Sequence, residues 1–145
     1  MRRDYLTVRV DTGGDEPGSD RPPVLRIDLD CPAGAVPPEV RDIERSSLSG
    51  EEFDLALRRD ETDEGVLSVA RRLTGEFLLE ANVSVATIED LVGAALDRPG
   101  EARYQVSVAG ADLEPFAFEK RTLLVYDADG NLLRDASLIP SGVEL

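Results

Sequence analysis

Short segments that alternate apolar and polar residues recur along this chain, and this spacing constrains its fold more than any other feature. Residues 5–10, 24–30 and 53–58 show the alternation clearly. Successive side chains of a strand point to opposite faces, so each segment predicts a β-strand with one buried and one solvated side. In residues 24–30, for example, Leu25 and Leu29 share one face.

Further strands are predicted in the second half of the chain. Residues 103–108 alternate, and Phe116 and Phe118 lead into an apolar run at 122–126. Residues 127–131 have the composition of a turn, and residues 132–134 would begin a return strand. The segment 137–145 is apolar enough that part of it should dock on the core.

Residues 66–83 fit two structures. Their apolar residues lie at helical spacing, but the same stretch also alternates, and Thr74-Gly75 falls in its middle. A glycine costs a helix interior about 1 kcal/mol and is common in hairpin turns. We therefore favour two strands, 66–73 and 76–83, with a helix as the alternative.

One helix is predicted at residues 87–98. Thr87 would cap it, two acids in the first turn would suit the helix dipole, and Pro99-Gly100 would end it. The stripe that would face the core consists of Ile88, Leu91, Val92, Ala95 and Leu96.

Many short strands separated by turn signals predict a mainly β chain that forms one domain over residues 1–145. We expect an antiparallel two-sheet sandwich of the immunoglobulin-like type. In such sandwiches a tyrosine at the start of a late strand bonds its hydroxyl to nearby backbone, and Tyr104 suits that role. The alternative is an α+β domain whose helix covers one sheet face. Residues 32–50 are rich in proline and predict only a short helix near 39–46.

The net charge of the chain indicates the salt concentration to which it is adapted. Thirty carboxylates oppose fifteen arginines and a single lysine, Lys120, which gives a net charge of −14. Charges of one sign repel each other and destabilise a compact chain, and this repulsion is screened in molar salt, where the Debye length is ~3 Å. The composition predicts a salt-adapted cytoplasmic protein. No apolar run is long enough to span a membrane.

The same composition argues against nucleic acid and anionic membranes as partners. Basic residues occur as isolated pairs beside acids, as in Arg58-Arg59-Asp60. We interpret these arginines as solvated side chains that neutralise nearby carboxylates.

Catalytic residue types are scarce. The chain has no histidine, and its one cysteine, Cys31, therefore lacks the usual activating partner. Lys120 lies between Glu119 and Arg121, where an ion pair with a neighbour is the ordinary role, and no glycine motif for binding phosphates occurs. We assign no catalytic, cofactor-binding or metal-binding residue, predict no cofactor, and favour a binding module over an enzyme.

Two groups of aspartates could hold a cation. Residues 127–131 resemble a calcium loop, but Leu132 and Leu138 stand where an EF-hand needs glycine and glutamate, so we favour a plain turn around Asp127 and Asp129. The carboxylates of Asp28 and Asp30 would stand about 7 Å apart on one strand face, which we interpret as a solvated surface. The acidic run 60–64 is interpreted as a solvated loop.

Several segments resemble an uncharacterised family of small acidic proteins from halophilic archaea. They are residues 1–5, 72–77, 120–127 and 130–145. The resemblance implies no activity and no functional residue. From the residues themselves we expect a non-catalytic interaction module that meets a protein partner, or a second copy, at an edge strand or at the tail 138–145. The alternative is a small-molecule or cation-binding domain using Asp28, Asp30, Asp127 and Asp129, and an enzyme based on carboxylates alone comes third.

Overall fold

The computed structural model describes residues 6–12, 22–30, 32, 53–97, 102–110 and 115–139. Predictions for the remaining residues, including Cys31, the 39–46 helix and the end of the tail, lie outside the described residues. Within the described ranges the chain forms eight strands and one α-helix. In chain order these are β1 (Leu6–Asp11), β2 (Val24–Leu29), β3 (Phe53–Arg59), β4 (Glu64–Arg71), β5 (Phe77–Ser84), α1 (Val85–Asp97), β6 (Tyr104–Gly110), β7 (Phe116–Lys120) and β8 (Leu124–Tyr126).

The strands form two four-stranded sheets, as the mainly β prediction required. The first sheet has the order β1-β2-β6-β7 and the second has the order β5-β4-β3-β8. The expectation of purely antiparallel sheets is wrong, because β2 pairs with β6 and β3 pairs with β8 in parallel. Only short connections force neighbouring strands to be antiparallel, and both parallel pairs join segments that are far apart in the chain.

The alternating pattern places one side of each strand in the core. Strand β3 shows this most clearly, since Phe53, Leu55 and Leu57 are buried and the residues between them are half-buried. Side chains from all eight strands and from α1 belong to a single apolar cluster. The two sheets and the helix therefore share one core.

Residues 66–83 form a hairpin, which confirms the favoured prediction. Strands β4 and β5 pair antiparallel, with a register shift between Val69 and Ala70. The Gly75 amide donates to the Arg71 carbonyl at 2.8 Å, and Gly75 has a φ of 71°. Only glycine adopts that backbone conformation without strain, which explains the glycine at this turn.

The helix lies close to its predicted position but begins two residues earlier. Its cap is Ser84, whose Oγ accepts from the Thr87 amide at 3.2 Å, so the prediction of Thr87 as the cap is wrong. The first turn also contains no acid, contrary to expectation. Helix α1 contacts β1 and β5, the edge strands of the two sheets. Among the described residues, no helix is long and apolar enough to cross a bilayer.

The segment after β8 does not form the predicted return strand at 132–134. A single bridge joins Leu132 to Tyr126, and a 3-10 turn follows at Arg134–Ala136. The Ser137 hydroxyl donates to the Leu133 carbonyl at 2.7 Å and accepts from the Val125 amide at 2.9 Å, which fixes this path against β8. Leu138 is buried, so the beginning of the tail docks as expected.

Tyr104 is buried at the start of β6, and its hydroxyl donates to the carbonyl of Thr122 at 2.8 Å. Burial, with a smaller contribution from the charge of Asp54, raises the pKa of this hydroxyl well above its ordinary value. A tyrosine corner would use an acceptor a few residues upstream, whereas Thr122 lies downstream. Together with the mixed sheets, this difference leaves the immunoglobulin-like topology unsupported.

Candidate functional site

The Asp127 carboxylate accepts hydrogen bonds from the backbone of its own turn. Its Oδ1 accepts from the amides of Asp129 and Asn131, both at 2.9 Å. The hydrogen bond from the Asn131 backbone is the largest cause that lowers the pKa of Asp127 below its usual value. The structure therefore agrees with the interpretation of residues 127–131 as a plain turn.

The acidic loop between β3 and β4 is organised in a similar way. Asp60 Oδ1 accepts from both the hydroxyl and the amide of Thr62. These hydrogen bonds, the side-chain one first, lower the pKa of Asp60. The carbonyl of Asp63 accepts from the Val85 amide at 2.8 Å, so the loop also holds the first residue of the helix.

Asp28 and Asp30 lie on the solvated face of the first sheet and have cross-strand partners on β1. Asp28 Oδ2 lies 2.8 Å from a terminal guanidinium nitrogen of Arg9, and Asp30 accepts from the hydroxyl of Thr7 at 3.0 Å. Each carboxylate thus has its own partner, and the structure does not bring Asp28 and Asp30 together with Asp127 and Asp129. Among the described residues, no group of three potential ligands is placed to hold a metal ion.

Lys120 is buried, with 5 % of its surface exposed. Its ammonium donates to the carbonyl of Phe53 at 2.7 Å and so links the end of β7 to the start of β3. The predicted local ion pair with Glu119 is wrong, because Glu119 lies on the exposed face of the strand and pairs with Arg103 at 3.4 Å. The one lysine of the chain therefore joins the two sheets.

An apolar surface occurs where β4 turns into β5. We call residues 72–77 the hairpin tip. Leu73 is 99 % exposed and Phe77 is 63 % exposed, although most large apolar side chains of the described residues are buried. Leu73 was predicted to end the strand 66–73, and its exposure was not predicted. Its position directly before Thr74-Gly75 was the available signal, because a residue at a turn projects away from the sheet.

An open cleft of about 580 Å³ lies at the opposite end of β4. A neighbouring depression of about 600 Å³ lies along the segment 132–136, and both are lined by Arg59. We call the first of them the arginine cleft. Its lining residues are Arg58, Arg59, Asp60, Glu61, Glu64, Gly65, Val66, Asn82 and Ala128.

The arginines of this cleft differ from the others that the structure describes. Within the described part of the chain, Arg58 and Arg59 form no ion pair, and the carboxylate of the adjacent Asp60 is bound by Thr62. The interpretation that these arginines neutralise their neighbouring acid is therefore wrong at this position.

Comparisons with known proteins leave the chemistry open. No curated protein and no solved structure matches the chain. The profile of one protein family matches residues 1–145, which is the whole sequence. The chain therefore belongs to the family of unknown function DUF5793.

Proposed function

We propose that the protein is a non-catalytic interaction module of a salt-rich cytoplasm, that its 145 residues act as one domain, and that it binds a protein partner through the hairpin tip. The observation that carries this proposal is the exposure of two large apolar side chains, Leu73 and Phe77, at the end of one hairpin. In many interfaces a few well-packed anchor side chains that fill pockets of the partner contribute most of the affinity.

The charges around the tip are neutralised within the protein. Arg72 pairs with Asp54 at 2.9 Å, and Arg71 lies 3.9 Å from Glu76. A partner of this tip is therefore selected by apolar contact, and it presents an apolar pocket. Molar salt screens exposed charges but does not weaken apolar burial, so this mode of recognition suits a salt-rich cytoplasm.

We prefer the tip to the two partner surfaces expected from the sequence. Leu138, the first apolar residue of the tail segment, is buried in the core. Of the four edge strands, β8 is bridged through Leu132, β1 and β5 contact the helix, and β7 stays as an alternative surface. Arg71 and Arg72 are also held by carboxylates, which leaves them poorly placed for phosphate contacts of a nucleic acid.

The test is capture of a partner from a lysate of the native host in 1 M and 3 M potassium chloride. Three tagged proteins are compared: the natural chain, the double variant Leu73→Ser/Phe77→Ser, and Leu96→Ser as the matched control. Leu96 is 59 % exposed but lies on the helix, away from the tip in the sequence. We expect one partner that the natural chain and the control retain at both salt concentrations and that the double variant loses.

Two results would overturn this proposal. One is equal recovery of the partner by the double variant, and the other is recovery of no specific partner by the natural chain. Thermal melts of all three proteins, which should agree closely because the altered residues are exposed, show that any loss comes from the surface and not from unfolding.

The salt-rich cytoplasm is the second part of the proposal, and the net charge of −14 supports it. Raising the salt from about 0.1 M to about 1 M shortens the Debye length from ~10 Å to ~3 Å and weakens the repulsion between exposed carboxylates. We expect the thermal midpoint to rise steeply across a potassium chloride series over this range. A midpoint that is flat or falls with salt would contradict the salt-adapted assignment, and with it the location.

Cation binding and carboxylate chemistry gain less support from the geometry. The acceptors of Asp127 bind the amides of its own turn, and Asp28 is paired with Arg9. Calorimetric titration with calcium and magnesium separates these functions from the proposed one. A binding heat that disappears in Asp127→Asn would favour the cation site.

A further inference from the structure

We infer that the arginine cleft is a binding site for a small zwitterionic carboxylate of the amino-acid class. Arg58 and Arg59 line the cleft together with Glu61 and Glu64. Within the described part of the chain, none of these four side chains takes part in an ion pair. Charges of both signs therefore line one cleft without forming ion pairs with each other.

The lack of partners is unusual for arginines of this chain. Five of the arginines that the structure describes form ion pairs with carboxylates, namely Arg9, Arg26, Arg71, Arg72 and Arg103. Thirty carboxylates are present, so a guanidinium readily finds a partner on this surface. Arg121 and Arg134 also have interaction partners, whereas Arg58 and Arg59, which are adjacent in sequence and line the same cleft, form no ion pair.

Local hydrogen bonds keep the nearest aspartates away from these arginines. Thr62 binds the carboxylate of Asp60, and the amide of Asn131 binds that of Asp127 on the neighbouring loop. The engagement of these carboxylates leaves the guanidinium groups available to a ligand.

The sheet beneath the cleft supplies a floor with polar and apolar groups. Arg58, Val66 and Asn82 are direct neighbours across β3, β4 and β5. The volume of about 580 Å³ is within the ~300–1,000 Å³ range of small-molecule sites.

The mixture of charges selects the class of ligand. A dianion such as phosphate would be repelled by Glu61 and Glu64, and a simple cation would be repelled by the two arginines. A carboxylate can accept two parallel hydrogen bonds from one guanidinium, and an ammonium group in the same molecule can bind a glutamate. An amino acid carries both groups, and the amide of Asn82 offers a donor and an acceptor to its side chain.

The test is an NMR titration of the full chain, followed through the backbone amides of Gly65 and Asn82. Glycine, L-alanine and L-glutamine are the zwitterionic probes, and acetate and methylammonium each present one half of the ligand. All titrations use one ionic strength, the lowest at which the protein is folded. We expect saturable shifts with at least one amino acid and binding at least tenfold weaker with either half-ligand.

Single substitutions then test whether the charged residues of the cleft contact the ligand. Arg59→Gln and Glu64→Gln should each weaken amino-acid binding at least tenfold, because each removes one charge-assisted contact. Arg103→Gln is the control, since Arg103 lies beside the first sheet and pairs with Glu119. Unchanged spectra away from the cleft show that the variants are folded.

Three results would overturn the inference: no saturable shift with any of the amino acids, equal binding of acetate, and equal loss of binding in the control. The site is separate from the hairpin tip. The variant Leu73→Ser/Phe77→Ser should therefore bind the probes unchanged, so that failure of one proposal does not decide the other.

Discussion

Strand β4 ends in an exposed apolar turn on one side and in a concave, charged cleft on the other. At the hairpin tip the charges are paired within the protein and Leu73 projects into solvent. At the arginine cleft the apolar residues are few, and charges of both signs lack partners among the described residues. One strand therefore carries two surfaces of opposite chemistry.

This difference has a consequence in salt. Contacts between exposed charges weaken as salt rises, whereas burial of apolar surface does not. A ligand in the arginine cleft should bind less tightly in molar salt, and a partner at the hairpin tip should stay bound. If the protein needs salt to remain folded, as proposed, only the apolar surface should keep its full affinity under the conditions that stabilise the chain.

The largest effect on stability is expected at the cleft end of β4. In Gly65→Ala the new Cβ would lie 2.8 Å from the Arg58 carbonyl oxygen, so the backbone of β3 or β4 must move. We expect the free energy of unfolding to fall by about 1–3 kcal/mol, the usual cost of overpacking. Chemical denaturation in potassium chloride measures it.

Gly93→Ala is the matched control for that substitution. Gly93 lies inside the helix with nothing within 4 Å of a built Cβ. The free energy of unfolding should rise there by about 0.5–1 kcal/mol, because alanine is the better helix former. Equal effects of the two substitutions would show that the close approach at Gly65 is not tight.

An effect of similar size is expected at the tip end, where Phe53 lies opposite Arg71 in the register of β3 and β4. Lys120→Met removes the hydrogen bond to the Phe53 carbonyl and leaves that acceptor buried. The free energy of unfolding should fall by about 1–3 kcal/mol. Glu119→Gln, on the exposed face of the same strand, should change it by less than about 1 kcal/mol. A stabilised Lys120→Met variant would show that burying the ammonium costs more than its hydrogen bond contributes.

The smallest effect concerns acid and should distinguish the two ends. Hydrogen bonds from Thr62 hold the pKa of Asp60 below its unfolded value. The order of the 60–64 loop is therefore fully maintained above about pH 4, the ordinary pKa of aspartate, and is lost as pH falls through the lower folded value. NMR titration should show the Thr62 amide shifting with Asp60 while amides of the tip do not follow it. If the chemical shift of the Thr62 amide does not change when Asp60 is protonated, this explanation is wrong.

Local patterns were enough to predict most elements. Alternation identified the strands, and the glycine at 75 identified the turn between β4 and β5, because both signals act within a few residues. The parallel pairing of β2 with β6 left no such signal. It depends on contacts between distant segments, and nothing in either strand specifies its neighbour.

The unpaired cleft arginines and the buried lysine could not be predicted from the sequence, for different reasons. Arg58-Arg59-Asp60 was interpreted as a neutralised group because neighbours in sequence were taken as partners. In the structure Thr62 competes successfully for Asp60. Lys120 was expected to pair with a neighbour in sequence, whereas the strand period that buries Phe116 and Phe118 buries Lys120 as well. At both positions geometry outweighed residue type.

The parallel pairing of β2 with β6, and of β3 with β8, also sets the order in which the molecule can be built. Neither sheet is complete until late segments of the chain find early ones, so the fold has a high contact order, and such topologies fold in milliseconds to seconds. During synthesis the edge of β2 that pairs with β6 stays unpaired until β3, β4, β5 and the helix have been made. An unpaired edge is a template for aggregation, and a chain of net charge −14 repels its own copies through this interval. The excess of acids thus protects the nascent chain as well as the finished one.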